Sequence, residues 1–387
     1  MKKKILLCTF LASSLFAQSE LDAIKEQLNS QKQEIAQLKS KKTNNSASFS
    51  QNAYLPDIAL ILNMSAVGRD IENGKYEKAE IEGFIDEGEI HLPFNKNRGF
   101  NLNYAEIAMH SVVDPYFEAF ANFHLHPNEF EIGEAYIQTT ALPYSLRVKA
   151  GKFKSAFGRI NAKHQHSWHF DAQPVIYKVL FGPDSISDAG VQLQYIAPTQ
   201  NYLMFGVEAM QGTNGRSFGD ARKNNLYIGY IKSSVDIGED LSILGGFSLA
   251  HGTNTTFNPT DVYGVDLTLR EQLGSYSALI WQSEYLRRAK DIGSKVETQA
   301  GLYSELIYQY NNNYSTGIRY DAITKNPIAT DLQKYTAMIE YKPFPMSRLR
   351  LSYSYDDTKS FNAQRRAINE VMLSLNIAAG AHGAHDY

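Results

Sequence analysis

The sequence predicts an all-β protein, a transmembrane antiparallel barrel of about 16 strands, with 14 as the alternative even number. One observation is that apolar and polar residues alternate with a period of two from residue 54 to residue 377. Another is that the chain has 24 Tyr and 20 Phe among 387 residues, although its mean hydropathy is only -0.35. A helical membrane protein would be far more apolar on average, whereas half of each barrel strand faces water.

The composition and motif content argue against several functional classes for this protein. The net charge of -3 excludes the concentrated basic surface that nucleic-acid binding requires. The sole cysteine is Cys8, which lies in a segment that we expect to be removed, so disulfides are not expected. Nucleophile-elbow, Walker and zinc-protease motifs are absent from the sequence, and we therefore expect no enzymatic activity.

The N-terminus has the pattern of a signal peptide at residues 1–17. Lys2–Lys4 form a positive region, Ile5–Phe16 form a short apolar region, and Ala17 gives a cleavage position. Because this apolar run is too short to span a bilayer, it predicts export by the Sec pathway.

Residues 18–42 change to a helical pattern. Their apolar positions follow a heptad, with Leu21, Ile24, Leu28, Ile35 and Leu38 on one seam. About three heptads are marginal for a lone helix, so we expect a periplasmic coiled coil that joins several copies, with a homo-trimer favoured. The alternative is a frayed linker helix. A polar linker follows at residues 43–53.

The predicted barrel, residues 54–377, alternates most clearly in its last strand. Val371, Leu373 and Leu375 share one face, while Glu370 and Ser374 lie on the other. Such strands need an apolar environment outside and a polar one inside, which outer-membrane lipid and a water-filled lumen supply. A soluble sandwich fits less well, because the polar faces carry full charges along most of each strand.

Histidines are concentrated where the alternation stops. The stretch 154–187 is too long for a turn and contains His-Gln-His-Ser-Trp-His, while further histidines lie in one strand and in the tail, residues 378–387. Imidazole and carboxylate groups bind zinc, so zinc is the one cofactor that this pattern suggests. The alternative is a plug-like loop in which these side chains only pack and form hydrogen bonds. The candidate metal ligands are His164, His166, His169, Asp171, His124, His126, His382 and His385.

Charged residues on the polar strand faces are candidates for the channel lining. A basic cluster can line a route for anions, but the same residues can also be ordinary lumen charges offset by carboxylates. The candidate lining residues are Arg147, Lys149, Glu118, Glu134 and Glu208.

Several motifs resemble a family of proteobacterial outer-membrane proteins often labelled zinc-regulated TonB-dependent outer-membrane receptors. They are Gly133-Glu134-Ala135-Tyr136-Ile137, Gly151-Lys152-Phe153, Phe157-Gly158-Arg159-Ile160-Asn161, the histidine motif with Phe170-Asp171, and Gly380-Ala381-His382-Gly383-Ala384-His385. The resemblance is most specific over residues 133–200 and implies an outer-membrane location with a link to zinc. The Gly-Lys-Phe element and the predicted coiled coil are more loosely similar to phosphate-selective porins, which are trimeric barrels of 16 strands.

Size argues against an energised receptor, because a TonB-dependent transporter combines a 22-strand barrel with a plug domain. We therefore expect a porin-like outer-membrane channel for small solutes, with a histidine-lined site for a divalent metal ion. The alternatives are a general or anion-selective porin with structural histidines, and a structural or adhesive surface protein anchored by its barrel.

Overall fold

The computed structural model describes residues 56–84, 94–125, 130–219 and 225–380. The predicted signal peptide, coiled-coil helix and polar linker lie outside the described residues. His126, His382 and His385 lie outside them as well.

Within the described residues, sixteen antiparallel strands close into one barrel, which confirms the predicted fold class. Each strand of the barrel pairs with the barrel strands before and after it in the chain, and the last strand closes the barrel against the first. The strands are β1 (Asp57–Arg69), β2 (Gly99–Asp114), β3 (Phe117–Leu125), β4 (Phe130–Thr139), β5 (Leu146–Lys154), β6 (Ser187–Ile196), β7 (Tyr202–Met210), β8 (Leu226–Ile237), β9 (Leu241–Thr253), β10 (Pro259–Gln272), β11 (Ala278–Asp291), β12 (Val296–Gln309), β13 (Tyr314–Lys325), β14 (Leu332–Tyr341), β15 (Ser347–Asp356) and β18 (Ile368–Gly380). This strand number is in the porin range, whereas TonB-dependent transporters have 22.

The long connections all lie at one rim of the barrel. At one rim, called the turn end here, short turns join β2 to β3, β8 to β9 and β12 to β13. At the other rim, the loop end, the longer connections include residues 70–98, 155–186 and 357–367. The first strand begins and the last strand ends at the turn end. The last strand reaches Gly380, so the barrel includes the first three residues of the predicted tail.

Burial is reversed relative to a water-soluble protein. The outward side chains of Val371 and Leu373 are 49% and 43% exposed, whereas the inward side chains of Arg319 and Arg350 are 2% and 1% exposed. An apolar outer face with charges inside is stable only where lipid surrounds the barrel.

Outward-facing tyrosines form two levels on the barrel wall. Tyr314 stacks on Tyr341 with ring centroids 4.8 Å apart, and Tyr320 lies against Tyr335 at 5.1 Å. The two pairs are separated by six residues of β13, which corresponds to ~20 Å along a strand. Aromatic residues at two levels of the outer wall are typical of transmembrane barrels.

The remaining elements are short. They are the helices α1 (Asn73–Tyr76) and α2 (Val175–Phe181) and the hairpin of β16 (Ser360–Phe361) and β17 (Gln364–Arg365). None of the helices in the described part of the chain is long and apolar enough to cross a bilayer.

Candidate functional site

Residues 155–186, called the inward segment here, leave the barrel wall after β5 and return to it at β6. Asn161 joins the two ends of this segment. Its Nδ2 donates to the carbonyl oxygens of Ser155 and Ile186 at 2.8 and 2.9 Å, and the Ile186 amide donates to its Oδ1 at 2.9 Å. The stretch that interrupts the strand pattern is therefore a folded unit with a closed base.

Hydrogen bonds connect the inward segment to opposite walls of the barrel. The Ala156 amide donates to Glu208 on β7 at 2.9 Å. The Val175 amide donates to Asp321 on β13, also at 2.9 Å. Since β7 and β13 lie far apart around the barrel, the segment crosses the lumen.

Gly158 makes one of the closest approaches to the wall. Its φ is +61°, and a Cβ atom there would lie 1.9 Å from Glu284 Oε1 and 2.3 Å from the Tyr177 hydroxyl oxygen. The Gly158 amide also donates to Ser248 Oγ at 2.9 Å. Only glycine fits both the backbone conformation and the space.

Apolar side chains of the segment pack inside the barrel. Six of the seven residues of α2 are buried, and Ile176, Tyr177 and Leu180 are fully buried. They belong to a cluster that also contains Phe157 and, from another loop, Phe218. The segment is thus held in the lumen by a hydrophobic core of its own.

Two histidines of the segment meet carboxylates on β2 and β4. His164 Nε2 lies 2.6 Å from Glu134 Oε2, and His164 Nδ1 lies 3.7 Å from Glu106 Oε1. His166 Nδ1 lies 3.9 Å from Glu106 Oε2, and His124 Nε2 from β3 lies 3.6 Å from the same oxygen. We call these five residues the histidine–carboxylate cluster.

The cluster has the donor set of a metal site. Ligand atoms of Glu106, His164 and His166 all lie within 4.8 Å of one another. Two ligands of a tetrahedral zinc ion, each at ~2.0–2.1 Å, are separated by about 3.4 Å, so small side-chain shifts would close the site. Glu134 contacts the far nitrogen of His164, which is where a supporting carboxylate orients a metal-bound imidazole.

Electrostatics within the cluster favour positive charge. Burial works to lower the pKa of His164, but the Glu134 and Glu106 carboxylates outweigh it and raise the pKa above its ordinary value of 6.5. The negative charge of the two carboxylates can be neutralised either by a proton on His164 or by a cation bound between these groups.

Two other predicted ligands of the segment lie apart from this cluster. His169 Nδ1 lies 2.7 Å from Glu305 on β12. The Asp171 carboxylate accepts from Ser374 Oγ at 2.7 Å and lies 3.0 Å from Arg350 Nη1. The structure thus brings His124, His164 and His166 together but not His169 or Asp171.

Asp171 belongs to a second polar cluster, the arginine clamp, formed with Arg348, Arg350, Glu340 and Ser374. Arg348 Nη2 lies 3.4 Å from Asp171 and Arg350 Nη2 lies 2.5 Å from Glu340 Oε2. Burial works to raise the pKa of Asp171, but the two guanidinium groups outweigh it and lower the pKa below 3.8. The clamp ties the middle of the inward segment to β14, β15 and β18.

The candidate lining residues all lie on inward strand faces. Arg147 Nε donates to Gln194 at 2.8 Å, and Lys149 Nζ lies 4.3 Å above the Tyr136 ring. Glu118 accepts from Gln138 Nε2 at 2.7 Å. Glu134 and Glu208 contact the inward segment and do not line an open channel surface.

Sequence reasoning missed Glu106 and the clamp arginines. Glu106 lies on the polar face of β2, and the period-two pattern of that strand was a signal that could have identified it. Arg348 and Arg350 are two residues apart on β15 and therefore point to the same face. Their partner Asp171 could not be inferred from strand periodicity.

No protein-family model matches the chain. An uncharacterized protein of Aquifex aeolicus (strain VF5) is 37% identical over 385 residues, covering 88% of this chain and 81% of the relative. Among solved structures, the anion-selective porin from Comamonas acidovorans superposes with a TM-score of 0.57 at 10% identity, covering 83% of this chain and 98% of that one. The trimer form of Vibrio cholerae OmpT superposes with a TM-score of 0.53 at 11% identity, covering 84% of this chain and 99% of that one. Salmonella typhi OmpF in complex with daunomycin superposes with a TM-score of 0.54 at 9% identity, covering 86% of this chain and 100% of that one. These structural likenesses show a porin-like barrel fold.

Proposed function

We propose that this chain, which belongs to the same family as the uncharacterized Aquifex aeolicus protein, is an outer-membrane channel for small solutes. Its porin-like barrel supports this proposal. The closed barrel with charges inside and an apolar outer face supports this function most directly. In bacterial barrels the longer loops face outward and the short turns face the periplasm. We accordingly assign the loop end to the cell exterior.

Planar-bilayer recording of the purified full-length protein tests the channel. We expect stepwise single-channel currents of small amplitude, since the inward segment crosses the lumen. A correctly folded barrel that gives no current would overturn the channel and favour the structural or adhesive surface protein instead.

The same lumen supports a divalent cation as a bound solute. Glu106, His164 and His166 supply one anionic and two imidazole ligands, and Glu134 supports His164 from behind. Nitrogen and carboxylate donors in this proportion suit zinc and neighbouring first-row metals. The proposed ligand is therefore Zn²⁺ or a similar ion on its way through the channel.

Zinc titration of the purified protein tests this site. The variant H164A/H166A should lose at least about tenfold in zinc affinity, because two ligands are removed. H169A is the matched control, since His169 is a histidine of the same segment that pairs with a carboxylate outside the cluster. Equal affinity in H164A/H166A and wild type would favour the alternative, a general porin with structural histidines.

We also propose that the channel is a homo-oligomer, with a trimer favoured. The heptad pattern of residues 18–42 supports this state, and a porin of the same fold has been obtained as a trimer. Native mass spectrometry should show three copies for the full chain and dissociation after removal of residues 18–42. Trimers that persist without these residues would indicate that contacts of the barrel wall hold the copies together.

A further inference from the structure

Asn122 on β3 is a fully buried asparagine that lies against the histidine–carboxylate cluster. Its Oδ1 accepts from the backbone amide of Glu134, where the register between β3 and β4 shifts. Because a backbone amide can only donate, this contact decides which atom of the Asn122 side chain is oxygen and which is nitrogen. The Nδ2 group, which can only donate, therefore points toward the cluster.

The wall fixes the position of this amide group. A Cβ atom on Gly133 of β4 would lie 2.5 Å from Asn122 Oδ1 and 2.9 Å from His124 Cε1, so both side chains lie directly over the Gly133 backbone. The histidines of the proposed metal site, in contrast, belong to the inward segment. The amide group is thus presented by the barrel to ligands that arrive from the lumen.

Asn122 Nδ2 contacts two of the atoms that would bind the metal ion. It donates to Glu106 Oε1 at 3.1 Å and lies 3.3 Å from His164 Nδ1. These two atoms are themselves 3.7 Å apart, close to the separation of about 3.4 Å expected for two ligands of one zinc ion. The two hydrogens of one amide group therefore bridge a pair of metal ligands.

Neutral His164 has one nitrogen that can accept from this amide. His164 Nε2 lies 2.6 Å from Glu134 Oε2, so the proton of the neutral ring is on Nε2 and the lone pair is on Nδ1. A metal ion coordinated by Nδ1 needs the same lone pair. The amide hydrogen of Asn122 and the metal ion consequently compete for one atom.

We propose that Asn122 is a positioning residue that engages the ligand atoms while no metal ion is bound and has to be displaced when the ion enters. This role rests on the metal function proposed above. Displacement breaks two hydrogen bonds of a buried amide, one of them to a carboxylate, and so lowers the affinity of the site. A channel requires such a limit, because an ion that binds too tightly does not leave.

The variant N122A tests this role in the purified full-length protein. Zinc affinity is measured by calorimetric titration, and zinc release is measured by mixing the loaded protein with a chelator. We expect N122A to bind zinc at least about tenfold tighter than wild type and to release it more slowly, because no amide has to be displaced. Removal of a residue that only supports the fold of the site would weaken binding, so the sign of the change is diagnostic. Unchanged or weaker zinc binding in folded N122A would overturn the proposal.

N103A is the matched control. Asn103 is a buried asparagine of β2 whose Nδ2 donates to Asn63 and Ser65 instead of the cluster, so N103A should keep wild-type zinc affinity. If N122A does not fold, N122S is the second variant, since its shorter side chain keeps a polar atom but cannot reach both ligand atoms. The same gain in affinity is expected, and wild-type affinity in N122S would contradict the displacement.

The double-histidine variant separates failure of this role from failure of the metal site. In the H164A/H166A background the additional change N122A should have no effect on zinc affinity, because the atoms that Asn122 engages are incomplete. Equal zinc affinity in H164A/H166A and wild type would remove the metal site itself. Weaker binding in H164A/H166A without tighter binding in N122A would remove only the proposed role of Asn122.

Discussion

The inward segment meets the barrel wall in two regions of opposite construction. In the histidine–carboxylate cluster the wall supplies both carboxylates and the imidazole of His124, and the segment supplies the imidazoles of His164 and His166. In the arginine clamp the wall supplies guanidinium groups, and the segment supplies the carboxylate of Asp171. A guanidinium group stays protonated at any relevant pH, so the clamp holds until Asp171 itself takes up a proton in strong acid. Imidazole can exchange a proton for a metal ion, so the cluster is suited to reversible binding.

The largest effect is expected from breaking the clamp. In R350M, Glu340 and Asp171 lose their closest cationic partner while remaining buried. We expect a loss of about 3–5 kcal/mol in the free energy of unfolding, measured by urea unfolding of the barrel in lipid vesicles. The single-channel conductance should also rise, because the middle of the segment is released.

The matched control for R350M is R365M. Arg365 and Asp357 form a comparable pair at 2.9 Å, but both side chains are about one-third exposed. Such a pair contributes less than about 1 kcal/mol. Similar losses in the two variants would contradict the special role of the clamp.

A smaller effect should distinguish the cluster from the clamp. E134Q preserves the size of the side chain that holds His164 but removes its charge. We expect zinc affinity to fall by about 10–100-fold, since a supporting carboxylate orients the ligand and raises its basicity. E118Q is the control, because Glu118 is a lumen carboxylate that contacts His110 and Gln138 instead. Unchanged zinc affinity in E134Q would remove Glu134 from the proposed site.

The smallest effect is an acid transition of the clamp. Because the pKa of Asp171 is depressed below 3.8 in the folded protein, its stabilising contribution is complete above that value and is lost as the pH falls through the folded pKa. The segment should therefore stay anchored down to about pH 4 and loosen only in stronger acid. Conductance recorded from about pH 5 to about pH 2 should show this change in wild type. In D171N the same change should be absent, and its persistence there would assign the transition to another group.

The local sequence pattern was sufficient for the barrel and for the faces of its strands. Period-two alternation is a property of neighbouring residues, and the contrast between lipid and lumen makes it visible without tertiary information. The structure places Glu118, Glu134 and Glu208 on inward strand faces, and the break in the pattern coincides with the inward segment, residues 155–186.

Only the tertiary structure decided which polar groups of the segment meet. His166 and His169 are three residues apart, yet His166 lies within the 3₁₀ turn Gln165–Ser167 and His169 follows this turn, and they contact different walls. Asp171 meets Arg348 across 177 positions of the chain. Such partners follow from the path of the segment across the lumen, which depends on its hydrophobic core and on the closure of the barrel rather than on any local period.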